Sequence, residues 1–367
     1  MSDSSQNASS PVAPDEQPAA AGHFQKLGDQ ELERAHQSLA RVLAEMDQVL
    51  LGNHEVHEML LVGILAKGHV LLEGQPGVGK TTLAKSLGQL LNLEFNRVQF
   101  TPDLMPADIL GGHILQQNAD QQGGVEKEMV FRPGPIFTNI LLADEINRAS
   151  PKTQSAMLEA MQERCVTLMG TTHPLPQPLL IIASQNPIEL EGTYPLPEAQ
   201  LDRFLFKLQI GKVNSEILQE LISTRRHGQV PAPGFSMNRE ELDQLFHCVD
   251  QVFLPKPVAR YASRLVEGTH PDSPLAIDEI RQYVSYGNSA RAAISLAEAG
   301  RALALIHGRP SIGFEDIDRV APHIMAHRLI LNYRAGFDKV TGYDLIGKLL
   351  ESMDKSSVDL PSSISVS

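Results

Sequence analysis

From about residue 24 onward, Leu32, Leu39, Val42, Leu43, Met46 and Leu50 recur at intervals of three and four among charged residues, which predicts an amphipathic helix. A second helical run over 56–67 leads into His69-Val-Leu-Leu-Glu73, a short apolar strand that ends in a glycine-rich turn. A helix follows from Lys80 to Leu91. Further apolar strands are expected at 97–100, 140–143 and 179–183, separated by helical or hairpin material. Strands alternating with helices predict an α/β domain with three αβα layers and a mainly parallel sheet. Past Gly211 the alternation stops. The chain then reads as helices at 215–225, 239–248, 256–269, 289–306 and 314–327, a smaller all-α lid domain.

The expected organisation is a disordered tail at 1–25, an α/β domain at 26–211, a helical domain at 212–350 and a frayed Ser-rich tail at 351–367. Two inserts interrupt the α/β domain at about 108–135 and 164–179. A length of 367 residues suits about two domains of ~150 residues. The stretch from Met1 to Gly22 is rich in Ser, Ala, Pro and Gln and has neither a basic n-region nor an apolar core, so it does not read as a secretory signal.

Charge and cysteine content narrow the function classes. Thirty-one Lys and Arg against 44 Asp and Glu leave a net charge of −13, which disfavours broad nucleic-acid binding through phosphate contacts. Two separated cysteines, Cys165 and Cys248, build neither a disulfide framework nor a thiolate metal site, and fit a reducing cytoplasm. The most apolar stretch, 59–66, stops at Lys67, short of the ~20 residues of a membrane helix.

The sharpest chemical signal is Gly74-Gln75-Pro76-Gly77-Val78-Gly79-Lys80-Thr81-Thr82, which fits G-x-x-x-x-G-K-[ST] between a strand and a helix. Glycines there let backbone N–H groups curl around phosphate oxygens, Lys80 reaches the terminal phosphates of ATP, and the Thr81 hydroxyl ligates Mg²⁺. Ile140-Leu-Leu-Ala-Asp144-Glu145 is an apolar strand ending in two carboxylates and looks like a Walker B motif. Asp144 would hold Mg²⁺ through its water shell, and Glu145 would polarise the attacking water as general base. At the end of another apolar strand, Asn186 either orients that water or caps the turn. Arg203 stands beside Asp202, where an isolated arginine would form a surface salt bridge.

Taken together the motifs resemble the MoxR-type AAA+ ATPases. The resemblance rests on Gln99-Phe-Thr-Pro-Asp-Leu-Met-Pro-Ala-Asp-Ile109, Phe131-Arg-Pro-Gly-Pro-Ile-Phe137, Asp144-Glu-Ile-Asn-Arg-Ala-Ser-Pro-Lys-Thr-Gln154, Leu158-Glu-Ala-Met-Gln162, Ser184-Gln-Asn-Pro-Ile-Glu189 and Glu191 to Phe204, and covers about residues 26 to 345. It implies a P-loop AAA+ α/β domain followed by a helical lid. By resemblance, Asn186 is similar to the sensor-1 residue and Arg203 to the arginine finger that reaches a neighbouring subunit's γ-phosphate. Arg291 looks like the sensor-2 arginine that couples the lid to the nucleotide, and Leu50, Leu51 and Gly52 lie in the segment that lines the adenine. Asn147 and Arg148 are open between an interface role and a structural one. The inserts resemble the helix-2 insert and the pre-sensor-1 hairpin, and are either the parts that touch a client or plain surface hairpins. Ser184 stands where relatives often have threonine, and Gly112-His113 replaces a more usual Gly-Thr pair.

The function so implied is Mg-ATP hydrolysis by a ring, by family default a hexamer, that acts as a chaperone-like remodeller in maturation or metal-cofactor insertion of a client complex. A von Willebrand factor A-domain protein is the implied partner. The alternatives are the motor subunit of a metal chelatase, a nucleic-acid motor and a nucleotide-gated scaffold. Gly170 to Gln177 carries no Lys or Arg, which argues against the nucleic-acid motor, and the presence of both Glu145 and Arg203 argues against the scaffold.

Overall fold

The computed structural model describes residues 27–354 apart from 76, 120–124, 187–191, 212–214 and 226–231. The expectations for the tail 1–25, for Pro76 and for residues 355–367 therefore lie outside the described residues. The chain runs α1 (Asp29–Val49), α2 (His54–Leu65), β1 (Val70–Glu73), α3 (Lys80–Leu90), β2 (Phe95–Gln99), α4 (Pro106–Leu110), β3 (Gly111–Ala119), β4 (Val125–Pro133) and β5 (Ile140–Asp144). It continues through α5 (Pro151–Glu163), β6 (Cys165–Leu168), β7 (Thr171–Pro174), β8 (Leu180–Gln185), α6 (Glu198–Leu201) and β9 (Phe206–Gln209). After these come α7 (Ser215–Thr224), α8 (Arg239–Gln251), α9 (Lys256–Gly268), α10 (Asp278–Tyr283), β10 (Val284–Tyr286), α11 (Ala290–Ile306), α12 (Phe314–Met325), β11 (Ile330–Leu331), α13 (Tyr333–Asp338) and α14 (Gly342–Ser352).

Five parallel strands form the central sheet in the order β2-β5-β8-β1-β9. Their apolar runs are buried on both faces, as a covered parallel sheet requires. Side chains alternate between the faces: Leu72, Ile140, Leu142 and Ile182 join one core with α1, α2, α3 and the later helices, whereas Leu71, Leu141, Ala143 and Ile181 join a second core with α5.

Four details differ from the sequence reading. β9 is a fifth strand that the chain pattern did not announce, because only four residues follow the Arg203-Phe204 turn. The helical part is not purely α, since β10 and β11 pair antiparallel within it. Its helices share one continuous core with α1 and α2, and α1 packs on α2, α3, α8 and α11, so the first helix touches helices from both halves of the sequence. At the other end α14 extends through Ser352, beyond the expected start of the tail at 351.

Both inserts are antiparallel hairpins. β3 and β4 pair from Gly111↔Pro133 outward, and Gly111 is required at the base: at φ +87° a Cβ would stand 2.3 Å from the Arg132 carbonyl. The shorter β6–β7 hairpin is tied to the longer one by His173, whose ring stacks on Phe131 at 3.8 Å. Leu115, Met129 and, at the β6–β7 tip, Met169 are exposed. Among the described residues no helix is long and apolar enough to cross a membrane.

Candidate active site

Open parallel sheets bind ligands at the carboxyl ends of their strands, and β1 hands directly into the Gly74–Lys80 turn there. Gly79, the residue before α3, has φ +88°, and a Cβ on it would lie 2.4 Å from Leu50 Cδ1. The backbone angle demands glycine at Gly79, and the tip of Leu50 closes over it. Leu50, Leu51 and Gly52 follow the end of α1, and Gly52 backs onto Ile217 of α7, so this segment is held between the turn and α7. Gln75 and Val78 are half-buried within the turn.

Lys80 is buried and its Nζ donates to the Gly74 carbonyl at 2.7 Å, which closes the turn on itself. Burial lowers its pKa, opposed by the charges of Asp144 and Glu145. Thr81 and Thr82, on the first turn of α3, face a cleft of about 390 Å³ shared with Asp144, Glu145 and Asn186. The donor set of this cleft is hydroxyl and carboxylate oxygen beside a lysine and free backbone at a helix N-terminus, which fits Mg²⁺ and a polyphosphate.

One hydroxyl ties the Asp144 carboxylate to the Glu145 backbone. Ser184 Oγ donates to Asp144 Oδ1 at 2.5 Å and accepts the Glu145 N–H at 2.9 Å. The position noted above as a departure from threonine thus fixes both acids. Glu145 adopts a left-handed backbone (φ 56°, ψ 49°), uncommon for a residue with a Cβ, and this bends its side chain off the strand. Its Oε2 accepts from Gln99 Nε2 at 2.7 Å and from Arg148 Nη1 at 3.0 Å. Arg97 donates to Asp144 Oδ2 through Nη2 at 2.7 Å and Nε at 3.2 Å. Arg148 thereby gains a role in holding Glu145. Arg97 and Gln99 were not singled out as site residues; a polar residue at every second position of a strand beside β5 was the available signal.

Asn186 follows β8, is 5% exposed and lines the same cleft. The structure does not bring Arg203 and Arg291 there. They share a second cleft, of about 370 Å³, with Gly68 and His69 at the start of β1. A four-residue strand spans ~13 Å, so the arginines stand at the amino-terminal edge of the sheet and Lys80 at its carboxyl-terminal edge. Arg291 Nη1 pairs with Asp202 Oδ2 at 2.5 Å, and Arg203 Nη1 donates to Gln162 Oε1. Beneath them Arg328, buried, donates to Asp202 Oδ1 at 2.9 Å and to the Phe204 carbonyl at 2.8 Å. Burial lowers the Arg328 pKa and Asp202 raises it. Arg291 therefore stands beside Asp202 at the amino-terminal edge, away from Lys80 of its own subunit.

A five-stranded parallel sheet with a glycine turn and paired acids at one edge defines a nucleotide-binding ATPase fold of the AAA+ class. Residues 69–206 match the ATPase family associated with various cellular activities (AAA), and residues 278–349 match the AAA lid domain. The chain is 38% identical to the chaperone MoxR1 of Mycobacterium tuberculosis over 92% of its own length and 91% of that protein's. It is 29% identical to the protein MoxR of Methylorubrum extorquens over 83% of this chain and 91% of that one. A solved structure from Cytophaga hutchinsonii, described as an ATPase, superposes with a TM-score of 0.77 at 35% identity, covering 89% of this chain and 97% of the other. The chain belongs to the MoxR family of AAA+ ATPases.

Proposed function

We propose that the chain hydrolyses Mg-ATP in a ring, with each active site built from the carboxyl edge of one subunit's sheet and the amino edge of its neighbour's. The separation of Lys80, Asp144 and Glu145 from Arg203 and Arg291 within one subunit is the observation that carries this reading. In it, the backbone from Gly74 to Gly79, with Gln75, Pro76, Val78 and Thr82, wraps the phosphates. Lys80 neutralises their terminal charge, and Leu50, Leu51 and Gly52 line the base. Thr81 and Asp144 hold Mg²⁺, which when bound supplies charge neutralisation on the transferring phosphate. Glu145 takes a proton from the attacking water and Asn186 orients that water. Gln99 and Arg148 both bond Glu145 Oε2 and so orient its carboxylate.

Arg203 and Arg291 of the adjoining subunit bring positive charge to the γ-phosphate from outside. A trans arginine is worth ~10³ to 10⁵ in rate in comparable phosphoryl transfer. MoxR1 carries the name chaperone, and this supports a chaperone-like remodelling role in the cytoplasm, with a client complex and a von Willebrand factor A-domain protein as partners. A hexamer is the proposed ring, and the division into an α/β domain at 26–211 and a lid at 212–350 is the proposed partition of moving bodies.

The test mixes two inactive variants. Lys80→Ala subunits cannot bind nucleotide but can lend Arg203, whereas Arg203→Ala subunits bind it but cannot lend Arg203. Mixing them should restore a measurable ATPase rate. Co-assembly confirmed by mass with no recovery of rate contradicts the shared site.

A further inference from the structure

Asp144 already carries a cation of its own chain. Gln99 is the register partner of Asp144 across β2 and β5, and Arg97 lies two residues earlier, so its long side chain crosses diagonally to the next strand. Both its Nε and Nη2 reach Oδ2, and Nη2 also donates to Gln99 Oε1 at 2.7 Å. The other oxygen, Oδ1, is taken by Ser184. The guanidinium is held on Oδ2. Lys80, the second cation of this cleft, gives its Nζ to the Gly74 carbonyl and to neither carboxylate.

A divalent ion and a guanidinium repel each other, so the two compete for the same carboxylate. The guanidinium fork matches phosphate as well as carboxylate. Arg97 has the freedom to exchange: its side chain is 45% exposed, whereas that of Arg328, which is locked in place, is 3% exposed. It lines the same cleft as Thr81 and Thr82. We infer that Arg97 is a displaceable counter-ion, which neutralises Asp144 in the absence of nucleotide and transfers to phosphate oxygens when the divalent ion takes its place. This inference rests on the nucleotide site proposed above.

The experiment separates the two partners of Arg97 in the full-length protein. Mn²⁺ binding without nucleotide, followed by electron paramagnetic resonance, reports on Asp144. Calorimetric titration with a non-hydrolysable ATP analogue in Mg²⁺ reports on the phosphates. Arg97→Gln should bind Mn²⁺ about tenfold more tightly than wild type and the analogue about tenfold more weakly, the loss expected of one charge-assisted contact. Arg97→Lys, which keeps the charge but not the fork, should fall between them in both titrations and provides a second variant if Arg97→Gln melts early. Unchanged Mn²⁺ binding, or unchanged analogue binding, overturns the transfer, since each leaves Arg97 serving one partner only. Lys80→Ala is the control: if it binds the analogue as wild type does, the nucleotide site itself is misplaced, and that failure is distinct from the failure of Arg97.

Discussion

The two edges of one sheet are built in opposite ways. At the carboxyl edge, the Gly74–Lys80 turn and the Asp144–Glu145 pair each lie in consecutive residues at the ends of strands that neighbour β8; Lys80 is tied within its own turn, and Asp144 and Glu145 are tied to Ser184 on the adjoining strand. At the amino edge, Arg291 from α11 and Arg328 from the segment after α12 converge on Asp202 from 89 and 126 residues away, and Arg203 from the turn beside Asp202 bonds Gln162. The first edge holds carboxylates that can manage a metal ion and a water. The second holds a cluster of guanidinium groups, two of them open to solvent, of the kind that binds phosphate. Neither edge alone contains both halves of a phosphoryl-transfer site. On the proposed reading, assembly, and not a change within one subunit, would bring base and arginine together.

The sharpest way to break this comparison is to remove one group from each edge. Arg203→Ala should lower kcat by ~10³ to 10⁵ and leave each subunit's affinity for nucleotide close to wild type. Glu145→Gln should lower kcat by ~10² to 10⁴ and trap bound ATP. An Arg203→Ala variant that loses nucleotide binding in the monomer would place the arginine in its own subunit's site and dissolve the distinction between the edges.

A smaller effect probes the amino edge alone. His69 Nδ1 accepts the Ile181 N–H at 3.0 Å, and burial, helped by the Arg164 charge, depresses its pKa from 6.5 to about 4. A depressed histidine contributes stability above its unfolded value, and this is lost as pH falls from 6.5 toward 4. Protonation places a hydrogen where the backbone donor already points. Urea unfolding at stepped pH should show up to about 3 kcal/mol lost over that window through this group. His69→Gln should flatten that part of the curve, and an equally steep curve in the variant would assign the acid sensitivity elsewhere.

Legibility in the sequence followed the range of the contacts. The phosphate-loop pattern and the Ile140–Glu145 strand could be read because their chemistry is contained within a few consecutive residues. The helices at 256–268 and 290–306 followed from apolar spacing in the same way. Arg97 and Gln99 could not be recognised, because their partners lie on β5 and only strand register brings them together. Which end of β1 Arg291 packs near was not legible, because a residue's distance along the chain does not say which end of a strand it approaches. β9 escaped because its pairing with β1, not its own four residues, makes it a strand.

The most direct measurement is the ATPase rate per subunit as a function of protein concentration in saturating Mg-ATP, beside the mass of the protein under the same conditions. The two-edge site predicts a rate per subunit that rises steeply as assemblies form, with monomers nearly silent. A rate that stays constant while the mass remains that of a monomer would contradict it, since every group needed for turnover would then have to lie within one chain.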